Sequence, residues 1–347
     1  LRRKELSHIM ELPEIIIIGD NTFNKDNLSK LIKKKALLLT GPNISDIFAE
    51  KIEAALKGFE YEKEVVNTST YDEAERIYNK YLGKDFEAII GFGGGKVLDV
   101  AKYVGYKKKV HMISVPTSAS NDGIASPFSS LKGGKHPYSI KVKPPRGVIV
   151  DLSVIMKAPK RFILSGLGDL LGKFTSIRDW KLASIEKNEY YGEYASKLAY
   201  ESAKHAMIST KGIELLKYVS VRNLMEALIS AGVAGGIAGS SRPLSGSEHL
   251  ISHALDIIAP EKGTHGEKVA LSTVFIAYLY GINWRKIKSK IQEVSLPSSF
   301  SQIGIKRDEV VDAILMAPSL RPERYSILHK LRLSKDTINN ILDEINI

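Results

Sequence analysis

The sequence predicts an α/β protein: an N-terminal doubly wound parallel sheet followed by a mostly α-helical C-terminal domain. Three observations predict it. Short apolar runs alternate with amphipathic stretches over the first half, the alternation stops near Asp151, and beyond it long stretches carry apolar residues at helical spacing with few breakers before Pro297. A chain of 347 residues with 44% hydrophobic content can bury a sizeable core, and its length favours two domains over one. We place an α/β domain over 1–152 and a helical domain over 153–347.

In chain order, Ile15 to Gly19, Ala36 to Thr40, Tyr61 to Val66, Ala88 to Gly91 and His111 to Val115 read as strands. Asn43 to Leu56 and Tyr71 to Leu82 carry helix-period apolar residues between them, so the pattern is β-α-β-α and the sheet parallel, with ligands expected at the carboxyl ends of its strands. Gly133-Gly134, flanked by polar-apolar alternation and followed by Pro144-Pro145, predicts a hairpin before the last strand, Gly147 to Val150. Tyr194 to Leu216, Leu224 to Ile237 and Val269 to Tyr280 are the clearest helices of the second half. The sequence carries no internal repeat and no low-complexity segment.

Composition narrows the chemistry. With no cysteine, disulfides, iron–sulfur clusters and thiolate metal sites are excluded, and a transition metal can be held only by His, Asp or Glu. The aliphatic run Ile15 to Ile18 is too short for a signal-peptide core or a membrane span, so a cytoplasmic protein without a membrane span is expected. The net charge of +11 fits a solvated Lys-rich surface or an anionic small-molecule substrate. No zinc-finger spacing, RNP-type aromatic run or KH-like clamp accompanies it, so no nucleic-acid partner is expected.

Ala88-Ile89-Ile90-Gly91-Phe92-Gly93-Gly94-Gly95-Lys96-Val97-Leu98-Asp99 is an apolar strand running through glycines into an amphipathic helix over Val97 to Val104. Glycines let backbone approach a pyrophosphate, and the free N–H groups and positive end of the helix favour its charge. The spacing is neither Gly-x-Gly-x-x-Gly nor a Walker sequence, and a tight turn without a ligand is the lesser alternative. Thr117-Ser118-Ala119-Ser120-Asn121-Asp122-Gly123, with Ser126 beyond, follows the next strand, although Asn-Asp-Gly is also ordinary turn chemistry.

His249 and His253 are four apart and hence on one helix face, and His265 follows between closely placed glycines. Asp169 sits among leucines and glycines in Gly166-Leu167-Gly168-Asp169-Leu170-Leu171-Gly172, where a buried carboxylate needs a metal or a basic partner. A carboxylate with two imidazoles leaves an open coordination position, as in a catalytic zinc site, and suits ferrous iron as well. From the spacing alone, satisfied core histidines and a helix-capping aspartate are the better account.

Gly93-Gly94-Gly95-Lys96-x-x-Asp99, Pro116-Thr117-Ser118, Gly168-Asp169, His249-x-x-x-His253 and His265-Gly266-Glu267 together resemble the superfamily of iron-containing alcohol dehydrogenases, glycerol dehydrogenases and dehydroquinate synthases. Within it, Ser118 to Pro127 and Ser240 to His249 are most similar to the archaeal sn-glycerol-1-phosphate dehydrogenases, over nearly the whole chain. The resemblance implies a dinucleotide-binding first domain and an active site in the cleft between the two domains. It implies NAD or NADP bound by Gly93, Gly94, Gly95, Lys96, Val97, Leu98 and Asp99, by Thr117, Ser118, Ala119 and Ser120, and by Ser126. It further implies a metal held by Asp169, His249 and His265, zinc rather than iron, with Asp122, Asp169 and His253 contacting substrate and Asp122 and His253 in catalytic roles.

The implied reaction is hydride transfer between NAD(P)H and C2 of dihydroxyacetone phosphate, a phosphorylated triose, giving sn-glycerol 1-phosphate for the lipid backbone of archaeal membranes. A homo-oligomer is implied too. Arg242, Lys204 and Lys173 are candidates for the substrate phosphate because they lie near the metal motifs in sequence. The neighbouring readings are a glycerol dehydrogenase and a dehydroquinate-synthase-like lyase. Against the lyase, aspartate stands where that family has glutamate, and no Asn occupies Pro243 to Glu248. The end of the second strand, Thr40-Gly41-Pro42-Asn43, carries no acid to reject a 2′-phosphate, so use of both nucleotides is expected.

Overall fold

The apolar runs of the first half form a sheet. In the computed structural model, which describes residues 8–133 and 139–347, the strands are β1 (Ile15–Gly19), β2 (Lys35–Thr40), β3 (Glu60–Val65), β4 (Ala88–Gly93), β5 (His111–Pro116), β6 (Phe128–Ser130), β7 (Ser139–Lys141) and β8 (Gly147–Asp151). Six of them make one parallel sheet in the order β1-β8-β5-β4-β2-β3. Period-two alternation assigns the faces. Ala36, Leu38, Ala88, Ile90, Phe92, Ile113, Val115 and Ile149 share one core with Phe23, Leu28, Phe48, Ile52 and Leu56. The intervening Leu37, Leu39, Ile89 and Met112 are also buried, on the side of helix Gly95–Lys108. Each such aliphatic burial contributes roughly 1.5–3 kcal/mol before chain entropy is counted.

Both faces are thus covered, which is why these strands read as continuous apolar runs. β2 continues to β3 on one side while its neighbour β4 continues to β5 on the other, so the chain reverses direction between β2 and β4. The glycine turn leaves β4 at that switch point. The predicted hairpin is the antiparallel pair β6–β7, with Gly133 at φ +79°; Gly134 lies outside the described residues.

Two helices differ from expectation. The stretch 43–56 breaks at Phe48 into Ile44–Ile47 and Ala49–Leu56, because Phe48 leaves helical geometry and packs edge-on against Phe92, ring centroids 5.8 Å apart. The stretch 194–216 divides at Ser209 into Glu193–Ile208 and Thr210–Glu214, and Leu216 then turns the chain at φ +50°.

Met10–Ala119 with Gly123–Pro159 form one unit, which holds the sheet. The other comprises His8, Ile9, Ser120–Asp122 and Lys160–Ile347 and is helical, built on Lys160–Leu171, Lys173–Lys187, Glu193–Ile208, Tyr218–Ala238, Ser247–Ile258, His265–Leu279 and Arg307–Leu320. Among the described residues no helix is long and apolar enough to cross a membrane.

Candidate functional site

Asp169 lies within helix Lys160–Leu171, not at its cap, and is 1% exposed. The helix can bring it to His265 because Gly168 faces Gly266 at the start of helix His265–Leu279. A Cβ on Gly168 would fall within the Gly266 peptide, and one on Gly266 within that of Ser165. The Gly266 N–H donates to Ser165 Oγ at 3.1 Å. Thr264 caps this second helix in a capping box with Glu267, whose carboxylate also receives the Arg161 guanidinium at 2.7 Å. His265 is therefore fixed in the first turn of an anchored helix.

The third member comes from helix Ser247–Ile258, which supplies His249. Its Nδ1 lies 2.8 Å from Glu248 Oε1, and Glu248 is buried and also accepts from Thr175 Oγ1 at 2.7 Å and from the Gly246 N–H at 2.6 Å. Its Nε2 lies 3.1 Å from Asp169 Oδ1, where it shares a proton with that carboxylate when no metal is bound; with Nδ1–H held by Glu248, Nε2 is the nitrogen that could bind a metal. His265 Nε2 lies 3.6 Å from the same oxygen. Donor atoms of a tetrahedral zinc ion with bonds of about 2.0–2.1 Å stand about 3.4 Å apart, so both separations match what one ion would impose. The three donor atoms all lie within 4.8 Å of one another. Without a metal, protons on the imidazoles and the Lys173 ammonium hold these atoms together, and a divalent ion would take the place of the imidazole protons. By this test the donor set fits a divalent metal.

The remaining charges are arranged around this point. Lys173, fully buried, reaches Asp169 Oδ1 at 3.2 Å, Asp122 Oδ2 at 2.7 Å and Leu244 O at 2.8 Å. The Asp122 N–H donates to Asp169 Oδ2 at 3.0 Å, which accounts for the inclusion of Ser120–Asp122 in the helical unit. Burial opposes ionisation of Asp169, but Lys173, His249 and His265 overcome it and hold this carboxyl well below the usual range. Burial pushes Asp122 up, Lys173 opposes that, and the Asp169 charge adds to it. Burial, then the charges of His249 and His265, keep His253 well below an ordinary histidine and therefore neutral at pH 7. The His253 ring centroid is 6.3 Å from that of His249 and 6.4 Å from that of His265.

In the sheet unit, Gly94 caps helix Gly95–Lys108 without a side-chain acceptor, leaving the first-turn N–H groups of Gly95 and Lys96 available to a ligand. Gly93 must be glycine, since a Cβ there would lie 2.6 Å from Val97 Cβ. Val97, Leu98 and Ala119 point into the core, so a nucleotide could reach them only through backbone. The Thr117 N–H donates to Gly93 O at 3.0 Å, which joins the polar segment after β5 to the glycine turn. Thr117, Ser118 and Ser126 are buried, Ser120 and Asp99 half-buried, and Lys96 exposed.

Each of the three phosphate candidates already has an acceptor within the protein. Arg242 is buried, donates to Glu189 Oε1 at 2.7 Å and to Tyr325 O at 2.8 Å, Lys204 pairs with Glu201 on an exposed helix face, and Lys173 already has three acceptors. Sequence reasoning gave no role to Glu248 or Thr175. An acid next to a histidine in a helix carries no spacing signal, whereas the i,i+4 pair Asp169–Lys173 was open to view.

Residues 18–159 match the profile of the iron-containing alcohol dehydrogenase family. Over 98% of both chains the protein is 44% identical to a glycerol-1-phosphate dehydrogenase, NAD(P)+, of Sulfolobus acidocaldarius. With that of Metallosphaera sedula it shares 45% identity over 92% of this chain and 93% of the relative. Among solved structures, a probable glycerol dehydrogenase from Sinorhizobium meliloti superposes with a TM-score of 0.79 at 20% identity, over 98% of each chain. Glycerol dehydrogenase from Schizosaccharomyces pombe does so at 0.77 and 22%, over 98% of this chain and 90% of that one. These structural likenesses establish the shared fold.

Proposed function

The chain belongs to the glycerol-1-phosphate dehydrogenase family, and on that premise we propose that it transfers hydride reversibly between NAD(P)H and C2 of dihydroxyacetone phosphate to give sn-glycerol 1-phosphate. The observation that carries this reading is the convergence of His249 Nε2 and His265 Nε2 on one oxygen of Asp169. When bound there, a zinc ion supplies Lewis acidity toward the C2 oxygen, and the nicotinamide supplies or accepts the hydride. The product fits the provision of a glycerol backbone for membrane lipid.

The chain's own residues have separate tasks on this reading. Glu248 fixes the His249 tautomer and so keeps Nε2 aimed at the site. His253, neutral and buried beside the triad, orients a substrate hydroxyl or passes its proton toward solvent. Asp122, held by Lys173, offers a carboxylate to the substrate. The N–H groups at the start of helix Gly95–Lys108 receive the cofactor pyrophosphate, with Thr117, Ser118, Ser120 and Ser126 completing its surroundings.

A substrate panel tests this. With NAD+ or NADP+, sn-glycerol 1-phosphate is expected to be oxidised with a kcat/KM at least about a hundredfold above those of sn-glycerol 3-phosphate and glycerol, and a chelator to remove the activity until zinc is restored. Preference for glycerol over its phosphate would contradict the assignment.

A further inference from the structure

Lys173 is an unusual neighbour for a metal ligand. Its ammonium is completely buried and faces the same Asp169 oxygen on which both histidines converge. Asp122 Oδ2 and Leu244 O are its other acceptors, at 2.7 and 2.8 Å, so sharing Asp169 Oδ1 with a metal would not leave it unpaired. A buried ammonium is costly unless carboxylates surround it, and a carboxylate pair is costly unless a cation does.

We propose that Lys173 is a resident counter-cation of the metal centre, which balances Asp122 and Asp169 in metal-free protein and holds zinc affinity down when the metal is bound. Its side chain thereby makes the site foldable before loading and the metal exchangeable afterwards. The inference rests on the metal reading above.

Charge counting makes it testable. With both carboxyls ionised, Asp122, Asp169 and Lys173 together carry a single net negative charge; Lys173→Met raises this to two, and Asp122→Asn with Lys173→Met returns it to one. If Lys173 were only a structural prop, its loss would weaken metal binding along with the fold. As a counter-cation its loss has opposite effects on the two. Zinc affinity is measured by competition with a chromophoric chelator, and thermal midpoints are measured on metal-free protein. For Lys173→Met we expect zinc to bind about tenfold or more tighter than wild type, while the metal-free protein melts about 5–10 °C lower.

In the double variant both quantities return toward wild type. Zinc binding to Lys173→Met that is unchanged or weaker overturns the inference while leaving the metal reading intact. A wild-type chain that binds no zinc overturns both. Should Lys173→Met fail to fold without metal, the double variant decides: affinity within about threefold of wild type supports the counter-cation, and a loss beyond tenfold overturns it.

Discussion

Asp169 Oδ1 gathers Lys173, His249 and His265, and Glu248 and Asp122 in turn hold His249 and Lys173. Glu248 is the clearest case: its carboxylate lies 2.8 Å from His249 Nδ1, and on the proposed reading this leaves Nε2 to the metal. Glu248→Gln keeps the shape and removes the charge, so metal affinity is expected to fall about 10–100-fold with the fold retained. Competition with a chelator checks this, and unchanged affinity would deny Glu248 its orienting role. At this scale the structure brings together the donor atoms of Asp169, His249 and His265, which were legible as a candidate set from residue type and motif. The tautomer-setting acid was not, since only the packing of helix Ser247–Ile258 against Thr175 and Gly246 brings its oxygens into play.

At the scale of elements, the site depends on how closely two helices approach. Gly168 and Gly266 let the backbones of Lys160–Leu171 and His265–Leu279 touch, which carries His265 to Asp169. Gly266→Ala would force its Cβ into the Ser165 carbonyl, so the helices must separate. We expect a loss of about 1–3 kcal/mol or more in stability, together with loss of zinc, seen by thermal melting and metal analysis of the purified variant. A variant that keeps both would mean that the helix contact does not set the site. Glycines beside Asp169 and His265 were visible in the sequence, but which glycine met which was not, because that depends on tertiary packing. The inner strands β2, β4, β5 and β8 were legible almost to the residue for the opposite reason: burial on both faces leaves an apolar run, whereas the edge strand β3 mixes charged residues with apolar ones. The helix predicted over 43–56 was misjudged because Phe48 follows the core, not the helical period.

For the whole molecule, the absence of cysteine restricted the metal chemistry, and the order of strands and helices predicted the α/β class seen in the structure. Each unit carries one half of the proposed chemistry, the nucleotide turn at Gly93–Asp99 in the sheet unit and the triad in the helical one. Spacing alone put satisfied core histidines ahead of a metal centre; the closeness of the three donor atoms in the structure supports the metal. On the proposed reading catalysis runs through the Asp169, His249 and His265 site, which zinc retitration of metal-stripped protein tests while sn-glycerol 1-phosphate oxidation is followed. Activity is expected to be absent at first and to rise linearly to a plateau at about one zinc per chain, with His265→Ala folded but inactive at any zinc concentration; full activity in metal-free protein or in His265→Ala would contradict the account.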